Sequence, residues 1–199
     1  MANHRKTETA AKLKKFYSTM SEAFRLTEIE NGMRFFEMNT HCEATDCTYE
    51  EEKELLESIG FLNKISYLKT ENLADNINYY NEVNSFGSGD NKFAIYLNDG
   101  SIFWISPYSD TVHYDVNGEK GPNKLCRDIF VFYLYTEGIC SSQNNCYGYN
   151  SSAYDQTVPT FNTYVRNIWD YERDGEIQGC TRILENAGWE FNDDYPYKL

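Results

Sequence analysis

The sequence carries none of the common catalytic signatures. GxSxG, HExxH, GxGxxG and a phosphate-binding glycine loop are all absent. Nothing therefore points to a nucleophile elbow, a zinc-peptidase helix or a nucleotide cradle. Cysteines never occur as CxxC, and the only histidines are His4, His41 and His113. A zinc site built on paired thiolates has no support. Long hydrophobic runs are missing too; the longest fall far short of the roughly 20 residues a membrane span needs. Basic residues are few, with 18 Lys and Arg against 31 Asp and Glu, a net charge of -13. A duplex-DNA partner needs clustered cations to neutralise phosphates, so no nucleic acid is expected. The one basic cluster is Arg5, Lys6, Lys12, Lys14 and Lys15. Carboxylate pairs exist, such as Asp193–Asp194 and Asp99 with Asp110, but among 31 acidic residues some pair is unavoidable. Spacing alone cannot set two of them across a scissile bond. The expectation is a protein that is not an enzyme.

What is present is enough for one globular domain. The chain has 199 residues, 41% apolar and 25% charged, and 16% aromatic with 17 Tyr. Tyr suits half-buried sheets and recognition surfaces, having an apolar body and a polar tip. Six cysteines in a polar chain read as a disulfide framework in an oxidising compartment. Six allow fifteen pairings. The pairing taken as the expectation is Cys42–Cys47, Cys140–Cys146 and Cys126–Cys180.

Residues 92–135 read as an antiparallel meander. Phe93, Ile95 and Leu97 alternate with Ala94 and Tyr96, and Asn98-Asp99-Gly100 makes a tight turn. Ile102 to Ile105, then Val112, Tyr114 and Val116, continue it across a Pro107-containing turn. Asn117-Gly118, Gly121-Pro122 and Asn123 mark a loop before Arg127 to Tyr135 resumes as a strand. In that loop Asp115, Asn117 and Glu119 alternate, with Asp128 further on, as oxygen ligands do in calcium loops. The match is partial: Lys120 and Cys126 stand where such a loop has Gly and a bidentate Glu. The competing reading is a turn in which Asp115 and Asn117 bond backbone groups.

Around the meander the pattern turns helical. Leu13, Phe16, Met20, Ala23 and Phe24 are spaced for one face of a helix over 7–29, with a stop at Glu30-Asn31-Gly32. Thr48 and Glu51 predict a capping box for a second helix over 48–59, where Glu50-Glu51-Glu52 suits a helix start. An extended piece is expected at 65–68. Further helices are expected at 161–171 and 177–186, followed by an aromatic tail of Trp189, Phe191, Tyr195 and Tyr197 docked on the sheet. Residues 138–159 read as a long polar loop. Its Tyr147, Tyr149 and Tyr154 would suit recognition of sugars or protein, or would only cover a sheet edge.

Asp-Gly-Ser-Ile at 99–102, Asp-Val-Asn-Gly at 115–118, Gly-Pro-Asn at 121–123 and Arg-Asp-Ile-Phe-Val-Phe at 127–132 together resemble the soluble domain of type IV pilin-like proteins and type II secretion pseudopilins. The helix at 11–20, Asn186 to Glu190, and Asp194-Tyr195-Pro196 are similar as well, while 34–90 and 137–175 lie outside the likeness. The resemblance implies an α+β fold: a long N-terminal helix packed on an antiparallel sheet of about four strands, with short extra helices. It implies one domain over 1–199. That domain divides into a helix (1–32), a variable region (33–91), the sheet (92–135) and a variable disulfide-containing region (136–199). It implies a bacterial filament subunit at the periplasmic or extracellular face, partnered by copies of itself or similar subunits. Its precursor would be anchored in the inner membrane through an upstream apolar half-helix, with Met1 standing where that segment was removed. Lys12, Lys15, Glu22 and Arg25 would then face neighbouring subunits. No cofactor is expected beyond the calcium suggested at 115–128. The alternative of another class is a secreted adhesin or carbohydrate-binding module using Tyr147, Tyr149 and Tyr154. A secreted hydrolase using acidic pairs is a third.

Overall fold

The computed structural model describes residues 2–38, 49–68, 95–106, 111–118, 120–121, 124–135, 138–141, 180–193 and 195. The fold is α+β. Helix α1 (Ala2–Asn31) is followed by a 3-10 turn (Phe35–Glu37), helix α2 (Tyr49–Ser58) and a second 3-10 turn (Leu62–Lys64). Five strands follow: β1 (Ile95–Tyr96), β2 (Ile102–Ser106), β3 (Thr111–Asp115), β4 (Ile129–Tyr135) and β5 (Gly138–Cys140). Helix α3 (Cys180–Asn186) completes the described elements.

Helix α1 owes its place to one stripe. Leu13, Phe16, Met20, Ala23 and Phe24 are all buried, as their spacing predicts. Fully burying the four larger of these side chains contributes about 1.5–3 kcal/mol each. Phe16 stacks on Tyr114 of β3, ring centres 3.9 Å apart, and Phe24 packs against Phe35 and Phe61 at 4.4 and 4.7 Å. The helix ends at Asn31, whose amide donates to the carbonyls of Thr27 (2.9 Å) and Ile59 (3.0 Å). That second bond ties the end of α2 to the end of α1.

The strands form one antiparallel sheet in sequence order, β1 to β5. Phe103, Ile105, Val112, Tyr114, Phe130, Phe132 and Leu134 join α1 in the main core. The opposite face, with Ile102, Trp104, His113, Ile129, Val131 and Tyr133, is buried as well. Near-continuous apolar strands such as IFVFYLY are what a sheet covered on both sides requires.

Four strands were expected, and a fifth is present. Gly138–Cys140 pairs with β4 through Tyr133↔Cys140 and Leu134↔Ile139, where composition reads as the start of a loop. Register against a long neighbour outweighs weak local propensity. The expected extended piece at 65–68 is reduced to one bridge between Leu68 and Leu97, after the turn at Leu62–Lys64. The expected helix at 161–171, most of the loop at 138–159, Thr48 of the capping box and Tyr197 lie outside the described residues.

Candidate functional site

The motifs singled out in the sequence converge at one end of the sheet. The β1–β2 turn closes through Leu97 N–H to the Ser101 carbonyl (2.9 Å) and Gly100 N–H to the Leu97 carbonyl (3.0 Å). Asp99 Oδ1 accepts from the Ser101 amide (3.1 Å) and its hydroxyl. This turn touches the β3–β4 connection. Gly118 has φ +64°, and a Cβ there would lie 2.5 Å from the Gly100 carbonyl oxygen. Backbone meets backbone, so only glycine fits.

Two fully buried carboxylates organise the β3–β4 connection. Asp115 Oδ1 accepts from the Asn117 amide (3.0 Å), and Asp128 Oδ1 accepts from the Lys124 amide (2.6 Å). The Val116 N–H donates to the Asp128 carbonyl (2.9 Å). The Asn117 side-chain nitrogen donates to the Lys120 carbonyl. The Gly121 carbonyl and Asp128 Oδ2 each lie 3.4 Å from that nitrogen. Three oxygens thus gather around one amide group. Asn117 Oδ1 is buried without a hydrogen-bond partner. These bonds are those of a self-bonded turn, and the same oxygens suit a hard cation once the amide presents Oδ1 instead. Glu119 lies outside the described residues. Among the described residues no three His, Cys, Asp or Glu side chains are placed together to hold a metal.

Two clamps fix this end to the helices. Cys126 takes φ +64°, a left-handed backbone uncommon for a residue with Cβ, and is bonded to Cys180 of α3. The Tyr195 hydroxyl donates to the Cys126 carbonyl (2.7 Å). Phe191 packs edge-on to Tyr195, and Trp189 lies against Tyr17, so the expected aromatic tail is docked. From α1, Lys12 Nζ donates to the Val116 carbonyl (2.9 Å) and lies 3.4 Å from that of Asp99. Lys15 pairs with the Asp99 carboxylate (3.5 Å) and sits over the Tyr67 ring, 3.7 Å from its centre. Both lysines therefore bond within the chain.

Glu22 and Arg25 pair with each other on the exposed face of α1, at 2.6 and 2.8 Å. That bond lowers the Glu22 pKa and raises that of Arg25. The expected Cys126–Cys180 bridge is present. Cys140 is disulfide-bonded too, to a partner outside the described residues, where Cys42, Cys47 and Cys146 also fall. Tyr147, Tyr149 and Tyr154 likewise lie outside them. Sequence reasoning missed a polar latch: Glu185 of α3 accepts from the Ser141 hydroxyl and from Arg182 (2.7 Å), and, with burial the larger cause, its carboxylate helps raise the Tyr17 phenol pKa. Apart from the i,i+3 pair with Arg182, its neighbours lie at 17 and 141, so no local pattern marks them. No helix among the described residues is long and apolar enough to cross a membrane.

A family model matches residues 1–199 from end to end. The chain belongs to DUF6613, a family of unknown function. No curated protein and no solved structure matches this DUF6613 chain.

Proposed function

We propose that this DUF6613 chain is a non-enzymatic subunit of a bacterial type IV pilus-like or type II secretion pseudopilus filament. The observation that carries the reading is the pairing of a 30-residue α1, buried along one stripe only, with an antiparallel meander. The motifs that resemble pilin-like domains, at 99–102, 115–118 and 127–132, lie together where the β1–β2 turn meets the β3–β4 connection. A helix with one face seated on its own sheet leaves the other free for neighbouring subunits. The Cys126–Cys180 bridge supports an oxidising compartment, periplasmic or extracellular. In this reading an apolar half-helix continuous with α1 anchors the precursor in the inner membrane. The test is fractionation of the source bacterium. The chain is expected in filaments sheared from the surface or pelleted from a pseudopilus-overproducing strain. Recovery only as a freely secreted monomer, released by a cleaved signal peptide, overturns the reading.

Calcium in the β3–β4 connection is part of the same proposal, favoured by the orphaned Asn117 Oδ1 beside gathered oxygens. Asp115, Asn117, Asp128 and the carbonyls of Lys120 and Gly121 would hold it. A ligand bound only by the native state stabilises by about 2.7 kcal/mol at a hundredfold excess over Kd. Calcium at about 10 mM, above the usual range for extracellular modules, is expected to raise the Tm of the native chain but not of Asp128→Asn. An unchanged native Tm leaves only the self-bonded turn.

A further inference from the structure

Charge is segregated along α1 and beyond its end. Residues 2–15 hold Arg5, Lys6, Lys12, Lys14 and Lys15 against Glu8 alone. Lys12 and Lys15 are engaged with the β1–β2 turn. Arg5 and Lys14 are exposed and have no ion-pair partner among the described residues. Helix α2 has the reverse composition, Glu50, Glu51, Glu52, Glu54 and Glu57 against Lys53 alone. Glu54 and Glu57 are exposed, and Lys53 lies 3.5 Å from Glu57. Three contacts hold the α2 region to the far end of α1: Asn31 to Ile59, Lys64 to Glu30, and Phe61 on Phe24. At 1.5 Å per residue the basic set and the acidic helix are separated by roughly 25–40 Å along α1.

From this we infer that the basic first half of α1 in one copy docks on the acidic α2 of a second copy. The inference rests on the filament reading and names its contact. The two patches differ and sit at opposite ends of one rod, so an antiparallel pair about a two-fold axis would satisfy both at once, whereas a staggered parallel pair leaves one patch of each copy open. The filament reading takes the staggered, head-to-tail form, which extends without closing. Complementary charge of this kind fixes register and partner choice. Both faces of the sheet are buried, so among the described residues the exposed faces of α1 and α2 carry these two opposite charge sets.

Zero-length carbodiimide coupling in a mixture of isotope-labelled and unlabelled native chain tests it. Links between Lys14 of one copy and Glu54 or Glu57 of another are expected. Their yield should fall as ionic strength rises and the screening length shortens from about 10 Å at 0.1 M to about 3 Å at 1 M. Lys14→Glu alone, and Glu54→Lys with Glu57→Lys, should each cut the intermolecular yield roughly tenfold, while an equal mixture of the two variants restores it. All these positions are exposed, so an unchanged Tm shows that the variants fold. Links confined to single copies, or a yield indifferent to the reversals, overturns the contact. If the reversed variants enter sheared filaments as well as the native chain does, the contact fails and the filament reading stands. If the links form but the chain is absent from filaments, the contact stands and the filament reading fails.

Discussion

Gly118 is where two turns 18 residues apart depend on a missing side chain. A methyl group there meets the Gly100 carbonyl at 2.5 Å, and the backbone holds φ +64°. The left-handed conformation alone costs a residue with Cβ about 1–2 kcal/mol, and the contact adds to it. Gly118→Ala is therefore expected to destabilise by at least about 2 kcal/mol in urea unfolding, whereas Gly121→Ala, with open space around it and no positive φ, should cost under about 1 kcal/mol. Equal effects would mean that the turns do not rest on one another. Cys126 meets the same backbone demand without being glycine. Its bridge to Cys180 spans 54 residues, and closing a loop of that length is worth about 4 kcal/mol by chain entropy. Cys126→Ala with Cys180→Ala should lose about that much. Cys126→Gly with Cys180→Ala should lose about 1 kcal/mol less, because glycine accepts the left-handed conformation. Two pairs of equal stability would show that the backbone at 126 relaxes once the bridge is gone.

At the scale of the element, α1 and β4 carry the core. Phe16 touches Phe103, Tyr114 and Phe132 at once, with ring centres 3.9 to 5.5 Å away. Phe16→Ala is expected to cost about 3–5 kcal/mol, read as a shift of the unfolding midpoint, while Ser18→Ala on the exposed face should be neutral. The buried stripe of α1 was legible because a 3.6-residue period repeats over about three turns, from Leu13 to Phe24, and needs no knowledge of the partner. The hairpins of β2, β3 and β4 were legible through their turn residues. Strand β5 was not, since Gly138-Ile139-Cys140 has little propensity of its own and is held by β4. Lys12 and Lys15 belong to the same class. Their spacing marks a polar flank, yet their ends bond carbonyls and a carboxylate 84 to 104 residues away. Long side chains lying along a surface before reaching a partner hide that partner from the sequence. Of the candidate site, the residue types at 115–128 were legible. The gathering of their oxygens around Asn117 depends on the path of the whole connection.

At the scale of the molecule, tyrosines record how tightly the layers close. Burial, then the neighbouring Glu185 carboxylate, pushes the Tyr17 phenol up to about 12. Burial also pushes Tyr67 and Tyr114 well up. A phenol whose folded pKa exceeds its unfolded value of 10 contributes stability that is present below pH 10 and lost as pH rises toward the folded value. Tm should therefore hold steady up to about pH 10 and fall steeply beyond it. Ultraviolet titration should show one class of tyrosines ionising near pH 10 and a second only with unfolding. A single class titrating in a protein that stays folded would mean the interface between α1 and the sheet is open to water.

The burial of both sheet faces has a consequence for how the chain is made. Ile129 to Tyr135 is seven uncharged residues, aromatic and branched, with no proline. In the native sheet Ile129 to Leu134 are all buried. Before folding, that run is a ready nucleus for intermolecular cross-β stacking, checked only by Arg127 and Asp128 ahead of it and Glu137 behind. Refolding from urea should thus be dependent on dilution, and the cell must keep this segment from meeting its own kind until the sheet has closed over it.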